Sequence, residues 1–156
     1  MLEPVIYTIE VPCDKAQAFA VFLEEMPNWW PLEKRSMSLK FCGKPAKSLH
    51  VDAKEGGKIF EITSDDEEHL WGTVNVYTPN DYIAMDFHMG LPPENASLVE
   101  VKFRELESEL TEVELSQSNW EAFGDMAEMM RSGYGSSWTM LFEEAYKAAC
   151  STKIEV

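Results

Sequence analysis

A curved antiparallel sheet wrapped around one long C-terminal helix, an α+β domain, is the fold that this 156-residue sequence predicts. Three observations predict it. Most of the chain before Asn119 is cut into short segments of alternating apolar and polar residues, the period of half-buried strands. Residues 124 to 150, GDMAEMMRSGYGSSWTMLFEEAYKAAC, instead repeat large side chains at Met126, Met130, Tyr134, Trp138, Leu141 and Ala145, the spacing of one helix face. Between the alternating segments lie short turn signals, and serial hairpins preceding one helix imply an antiparallel sheet with that helix on one face.

Val5, Tyr7, Ile9 and Val11 alternate with Ile6, Thr8 and Glu10, which predicts the first strand. Asp14 then stands as an N-cap before the stripe Ala18, Phe19, Phe22, Leu23 and Met26, so a helix follows. Pro27 stops it or opens a short second helix through Asn28, Trp29, Trp30 and Pro31. Residues 32 to 45 are mixed in pattern, with basic Lys34, Arg35, Lys40, Lys44 and Lys47 in and just after them, and a short strand is expected over residues 49 to 52. After the turn signal Glu55-Gly56-Gly57, residues 58 to 63 form a strand with Phe60 and Ile62 on one face and Ile59, Glu61 and Thr63 on the other. The acidic run 64 to 68 is a solvated hairpin connection.

Further strands are expected over residues 69 to 78 and 82 to 88, separated by the turn Pro79-Asn80-Asp81. In the second, Ile83, Met85 and Phe87 oppose Tyr82, Ala84, Asp86 and His88. Segments 98 to 104 and 111 to 117 close the sheet as a hairpin, with Val99, Val101, Phe103, Val113 and Leu115 inward. No linker, repeat or low-complexity segment divides the chain, so one domain over 1–156 is expected. Inside the last segment Gly133 and Gly135 either kink the helix or mark its true start, because each costs about 1 kcal/mol against Ala.

With 45% hydrophobic and 26% charged residues, the chain has the composition of an ordinary soluble globular protein. Its 28 acidic residues against 13 basic ones, a formal charge of -15, argue against nucleic acid and anionic membrane as partners, since both demand clustered Lys and Arg. Cys13, Cys42 and Cys150 share no metal-ligand spacing and read as reduced thiols. The start MLEPVIYTIEVP has neither a basic n-region nor an apolar h-region, and no apolar run approaches a membrane span, so a cytoplasmic protein is expected.

The order of these pieces resembles the AHSA1-type, or activator-of-Hsp90-ATPase-like, branch of the START-like (SRPBCC) superfamily. Carrying the resemblance are Phe19 and Phe22, Trp29-Trp30-Pro31, Glu55-Gly56-Gly57-Lys58-Ile59-Phe60-Glu61, Trp71-Gly72-Thr73-Val74, residues 111 to 115 followed by Trp120, and the closing helix from Tyr134 to Leu141. It departs from the family habit where Trp138 follows Ser137 and where residues 116 to 119 read Ser-Gln-Ser-Asn. The resemblance implies the helix-grip (Bet v 1-like) fold, with a hydrophobic cavity between sheet and C-terminal helix.

Small-molecule sites are concave and lined by aromatic side chains with a few polar anchors. Candidate ligand-binding residues are therefore Trp29, Trp30, Phe60, Trp71, Phe87, Phe103, Tyr134 and Trp138, with Glu61 as polar anchor. Glu61 reaches the cavity only if Phe60 and Ile62 face out, and Asp86 or His88 would then be its companions. No GxSxG elbow appears, and His50, His69 and His88 have no metal-ligand spacing, so neither a nucleophile, nor a metal, nor any other cofactor is expected. The favoured function is binding of a hydrophobic or aromatic small molecule without catalysis. Alternatives are a co-chaperone-like protein-interaction role, a homodimer among its forms, and a cyclase- or hydrolase-like enzyme using Glu61 or His88 as general base.

Overall fold

The alternation seen in the sequence builds β1 (Val5–Val11), and the same logic gives β2 (Ser48–Val51), β3 (Lys58–Ile62), β4 (Glu68–Thr78), β5 (Tyr82–Phe87), β6 (Ser97–Glu107) and β7 (Leu110–Ser118). The structure is a computed structural model and describes residues 2–34, 38–39, 43–88 and 93–152. The seven strands form one antiparallel sheet in the order β1-β7-β6-β5-β4-β3-β2. Every neighbouring pair except β1 and β7 is consecutive in the chain, so short hairpins suffice to build it.

Three irregularities in the ladder favour twist and curvature. Register shifts between Ile59 and Phe60, between Val74 and Val76, and between Glu105 and Glu107. The first leaves Trp71 without an opposite number on β3, and the second does the same to Asn75. Beside Trp71, a Cβ on Gly72 would lie 2.0 Å from the Asp86 carbonyl oxygen, so only glycine lets β4 and β5 approach there.

Asp14 caps α1 (Lys15–Glu24) by accepting from the Gln17 backbone N–H at 2.8 Å. The stripe Ala18, Phe19, Val21, Phe22 and Leu23 is buried, as its spacing requires. Pro27 sits at the start of α2 (Met26–Trp29), where its missing N–H costs nothing. At the α1 C-terminus the Trp29 indole donates to the carbonyls of Val21 (3.0 Å) and Phe22 (3.2 Å), in the last turn, where helix carbonyls run short of backbone partners.

The C-terminal helical run is more varied than one regular helix. A 3-10 segment, Trp120–Met126, breaks at Gly124, whose φ of 61° and ψ of −129° suit glycine alone. There follow α3 (Ala127–Trp138), a π-helical segment Thr139–Tyr146 and α4 (Lys147–Thr152), joined through helical backbone at Trp138, Thr139 and Lys147. Gly133 and Gly135 neither kink this run nor begin it. The expected stripe also needs correction, because Met126 is exposed and the deepest burial falls on Trp138, Leu141, Phe142, Tyr146 and Cys150. Wider π turns shift the phase of the inward face, so steps of four residues remain inward where a pure α-helix would rotate them away.

Tyr7 moors α3 to β1 through its hydroxyl, which donates to the Gly135 carbonyl. Arg131 Nε donates to the Glu3 carbonyl at 2.7 Å, and the Tyr146 hydroxyl donates to the Ala18 carbonyl at 2.6 Å. One apolar core lies between the sheet, α1, α2 and the C-terminal run, which is the expected helix-grip arrangement. Among the described residues no helix is long and apolar enough to cross a membrane.

Candidate functional site

The inner face of the sheet meets the C-terminal run through a continuous set of aromatic rings. Trp30 is central to it, with ring centroids 4.9 Å from Trp71, 6.2 Å from Phe87, 6.2 Å from Trp138 and 6.0 Å from Trp29. Phe87 adds contacts to Trp71, Trp138 and Tyr134 at 6.3, 6.4 and 5.9 Å. These are edge and tilted geometries, which ring quadrupoles favour over face-to-face sandwiches. Five sequence candidates, Trp30, Trp71, Phe87, Tyr134 and Trp138, thus come together, and Trp29 joins them through Trp30.

Phe103 occupies the other end of the interior. It packs edge-on to Phe19 of α1 at 5.2 Å, and Phe19 in turn meets Tyr77. Phe60 is a correction. Ile59 and Glu61 are buried while Phe60 and Ile62 are not, and the Phe60 ring stacks on the exposed His50 at 5.1 Å and 11°. Strand period two forbids Phe60 and Glu61 from sharing a face, so the buried Glu61 carries Phe60 outward. Asp86 likewise points away from the interior and accepts from Asn75 Nδ2 at 2.8 Å. His88 is buried, and its backbone N–H donates to the Trp71 carbonyl at 2.8 Å.

Glu61 is fully buried. Trp71 Nε1 donates to its Oε1 at 2.7 Å, and the Ser38 backbone N–H donates to its Oε2 at 2.8 Å. Hydrogen bonds at both oxygens offset the cost of removing this side chain from water. Ser38 is fixed in turn, since its hydroxyl meets Ser64 Oγ at 3.1 Å and accepts from the Ser64 N–H at 2.9 Å.

A second polar line crosses the interior, and sequence reasoning missed it. Trp138 Nε1 donates to Gln117 Oε1 at 2.8 Å, Gln117 Nε2 donates to Ser97 Oγ at 2.8 Å, and Ser97 donates to the Phe87 carbonyl at 2.7 Å. All three side chains are buried. A signal for it existed, because Gln117 continues the inward series Val113, Leu115 and is the polar exception in an apolar face.

Tyr134 joins this interior to an aromatic triad at the start of the helical run. Its ring lies 5.9 Å from Trp120 and 6.4 Å from Phe123, and these two are 6.2 Å apart. Tyr134 is half-buried, and the apolar surroundings push its phenol well above the usual tyrosine value. Neither Trp120 nor Phe123 is among the ligand-binding residues expected from the sequence.

Cys13 and Cys150 are both buried and interact through their thiols. That hydrogen bond, together with burial, pushes Cys150 well above the usual thiol value, while its thiol lowers that of Cys13. The protonated form of Cys150 is therefore favoured, and protonated thiols are poor nucleophiles. Cys42 lies outside the described residues. Among the described residues no three His, Cys, Asp or Glu side chains converge as metal ligands would.

Solved structures of similar fold cover nearly all of the chain. CalC from Micromonospora echinospora, described as a self-sacrificing resistance protein, is 25% identical, with 97% of this chain and 94% of that chain covered at a TM-score of 0.66. Txn09, described as an anthrahydroquino-gamma-pyrone synthase, is 26% identical over 86% of this chain and 88% of its own at a TM-score of 0.60. Protein MLL2253 from Mesorhizobium loti is 10% identical over 96% and 98% of the two chains at a TM-score of 0.68, a likeness of fold alone. No curated protein matches the sequence. The family model for "Activator of Hsp90 ATPase homolog 1-like protein" matches residues 13–145. With that match spanning α1 through the π-helical segment, and with the helix-grip architecture in place, the chain belongs to this family as an AHSA1-type member of the START-like superfamily.

Proposed function

We propose that this chain is a single-domain cytoplasmic protein that binds a hydrophobic or aromatic small molecule between the sheet and the C-terminal helical run, without catalysis. The observation that carries the reading is the aromatic interior centred on Trp30, Trp71, Phe87 and Trp138, into which Glu61 and the pair Gln117 and Ser97 bring fixed polar atoms. Apolar walls with a few fixed polar groups are the usual chemistry of a small-molecule site. The carboxylate of Glu61 is already held by two donors, which suits a structural anchor better than a proton-transfer group. Titrating the intrinsic tryptophan fluorescence with lipids, flavonoids and other planar aromatics tests the proposal. A saturable change with at least one class is expected, and a flat response to all of them overturns it.

An enzymatic reading has one specific support, the similarity to Txn09, which is described as a synthase. In that reading Glu61 is the residue to act on a bound substrate. Turnover of a bound aromatic compound that vanishes in Glu61→Gln, with binding retained, would favour this reading over simple binding. A protein-interaction role rests on the family description and the charge of -15, and predicts a partner lost at high salt.

A further inference from the structure

Buried indoles in this protein are generally supplied with an acceptor. Trp29 donates to the Val21 and Phe22 carbonyls, Trp71 to Glu61 and Trp138 to Gln117. Trp120 breaks the pattern. Its side chain is fully buried, yet Nε1 finds no hydrogen-bond acceptor among the described residues. Such a donor ordinarily weighs against the fold, because its lost hydration is not replaced.

The position of Trp120 supplies a use for that donor. Its ring packs against Tyr134 and Phe123, and Tyr134 is the ring that links this triad to Phe87 and so to the aromatic interior. The helical run that carries this triad also leaves side chains exposed. Met126 and Met129 are 39% and 63% exposed, and of the α3 side chains only Trp138 is buried. A flat molecule entering beside Tyr134 would meet aromatic faces on both sides and one unmatched N–H.

Building on the small-molecule reading above, we infer that Trp120 Nε1 is a ligand-recognition donor and that the molecule bound is a planar aromatic compound bearing a carbonyl oxygen. The rings supply stacking surface that any flat hydrophobe could use. Selectivity comes from the indole N–H, because a ligand without an acceptor leaves that donor as unmatched as it is in the free protein.

Fluorenone and fluorene share a tricyclic skeleton and differ by a single carbonyl, so they isolate this contact. Equilibrium dialysis against the full chain should show tighter binding of fluorenone. In Trp120→Phe, which keeps an aromatic ring and deletes the N–H, fluorenone affinity should fall by about three- to tenfold, the range of one net hydrogen bond, while fluorene affinity stays within about twofold. A second measurement does not depend on the variant folding. The assigned Trp120 indole N–H resonance of the native protein should move downfield with saturating fluorenone and not with fluorene. Equal loss of both ligands, no loss of either, or an indole resonance indifferent to fluorenone overturns the inference and leaves the small-molecule reading standing. Saturable binding of neither probe overturns the assignment of this ligand class, whereas the wider fluorescence panel decides the reading beneath it.

Discussion

Trp71 Nε1 donates to Glu61 Oε1 at 2.7 Å, and this bond ties the bulge of β4 to β3 inside the curved sheet. It requires Glu61 to face in, Phe60 to face out, and Trp71 to be the residue that β3 leaves unpaired.

Glu61→Gln should therefore destabilise the protein although it is nearly isosteric. Trp71 Nε1 and the Ser38 N–H use different oxygens of the carboxylate, and an amide replaces one acceptor with a donor. A loss of about 1–3 kcal/mol is expected from urea unfolding followed by tryptophan fluorescence. An unchanged midpoint would mean that the two bonds contribute nothing net.

Gln117 and Trp138 should be energetically coupled through their 2.8 Å bond. A double-mutant cycle with Gln117→Leu and Trp138→Phe is expected to give an interaction term of about 0.5–1.5 kcal/mol. Strict additivity of the two single losses would contradict this.

Two glycines of the helical run should respond in opposite directions. A Cβ at Gly133 meets nothing within 4 Å, so Gly133→Ala should raise stability by up to about 1 kcal/mol through helix propensity. Space is also open at Gly124, but its φ of 61° is strained for alanine, and Gly124→Ala should lower the thermal midpoint. Calorimetry on both variants checks the contrast, and a gain at Gly124 would refute it.

Stability should fall in alkaline solution. Burial, then the hydrogen bond and charge of Glu100, pushes Tyr82 up to about 12, and burial raises Tyr77, Tyr134 and Tyr146 as well. Unfolded tyrosines ionise near pH ~10. Above that value the unfolded chain releases protons that the folded chain still holds, so this stabilisation is complete below pH ~10 and declines as pH rises through the folded values. Denaturation midpoints measured from neutral to strongly alkaline pH should show the decline, and Tyr82→Phe should make it shallower. A midpoint that rises over that range would contradict the sign.

Strand positions were legible because the outer and inner faces of β1, β5, β6 and β7 differ so sharply in polarity that Val99, Val101, Phe103, Val113 and Leu115 could be placed one by one. The Asp14 cap and the α1 stripe were legible for the same reason, since spacing and cap chemistry are local. Much of the aromatic interior was also legible as a set, because Trp30, Trp71, Phe87 and Trp138 stand at inward positions of elements that the sequence itself delineates.

What the sequence by itself determined, then, was the order and facing of local elements, and with them the helix-grip architecture. Tertiary structure alone decided the register. The bulge at Ile59 and Phe60 set Trp71 on Glu61, the pairing of β6 with β7 brought Gln117 to Ser97, and π-helical turns carried the inward face onto Phe142 and Tyr146. It alone showed Trp120 buried with its N–H unmatched among the described residues. The reason is physical: periodicity records which face a residue occupies, whereas a hydrogen bond between distant segments depends on angstrom-scale offsets that no local pattern encodes.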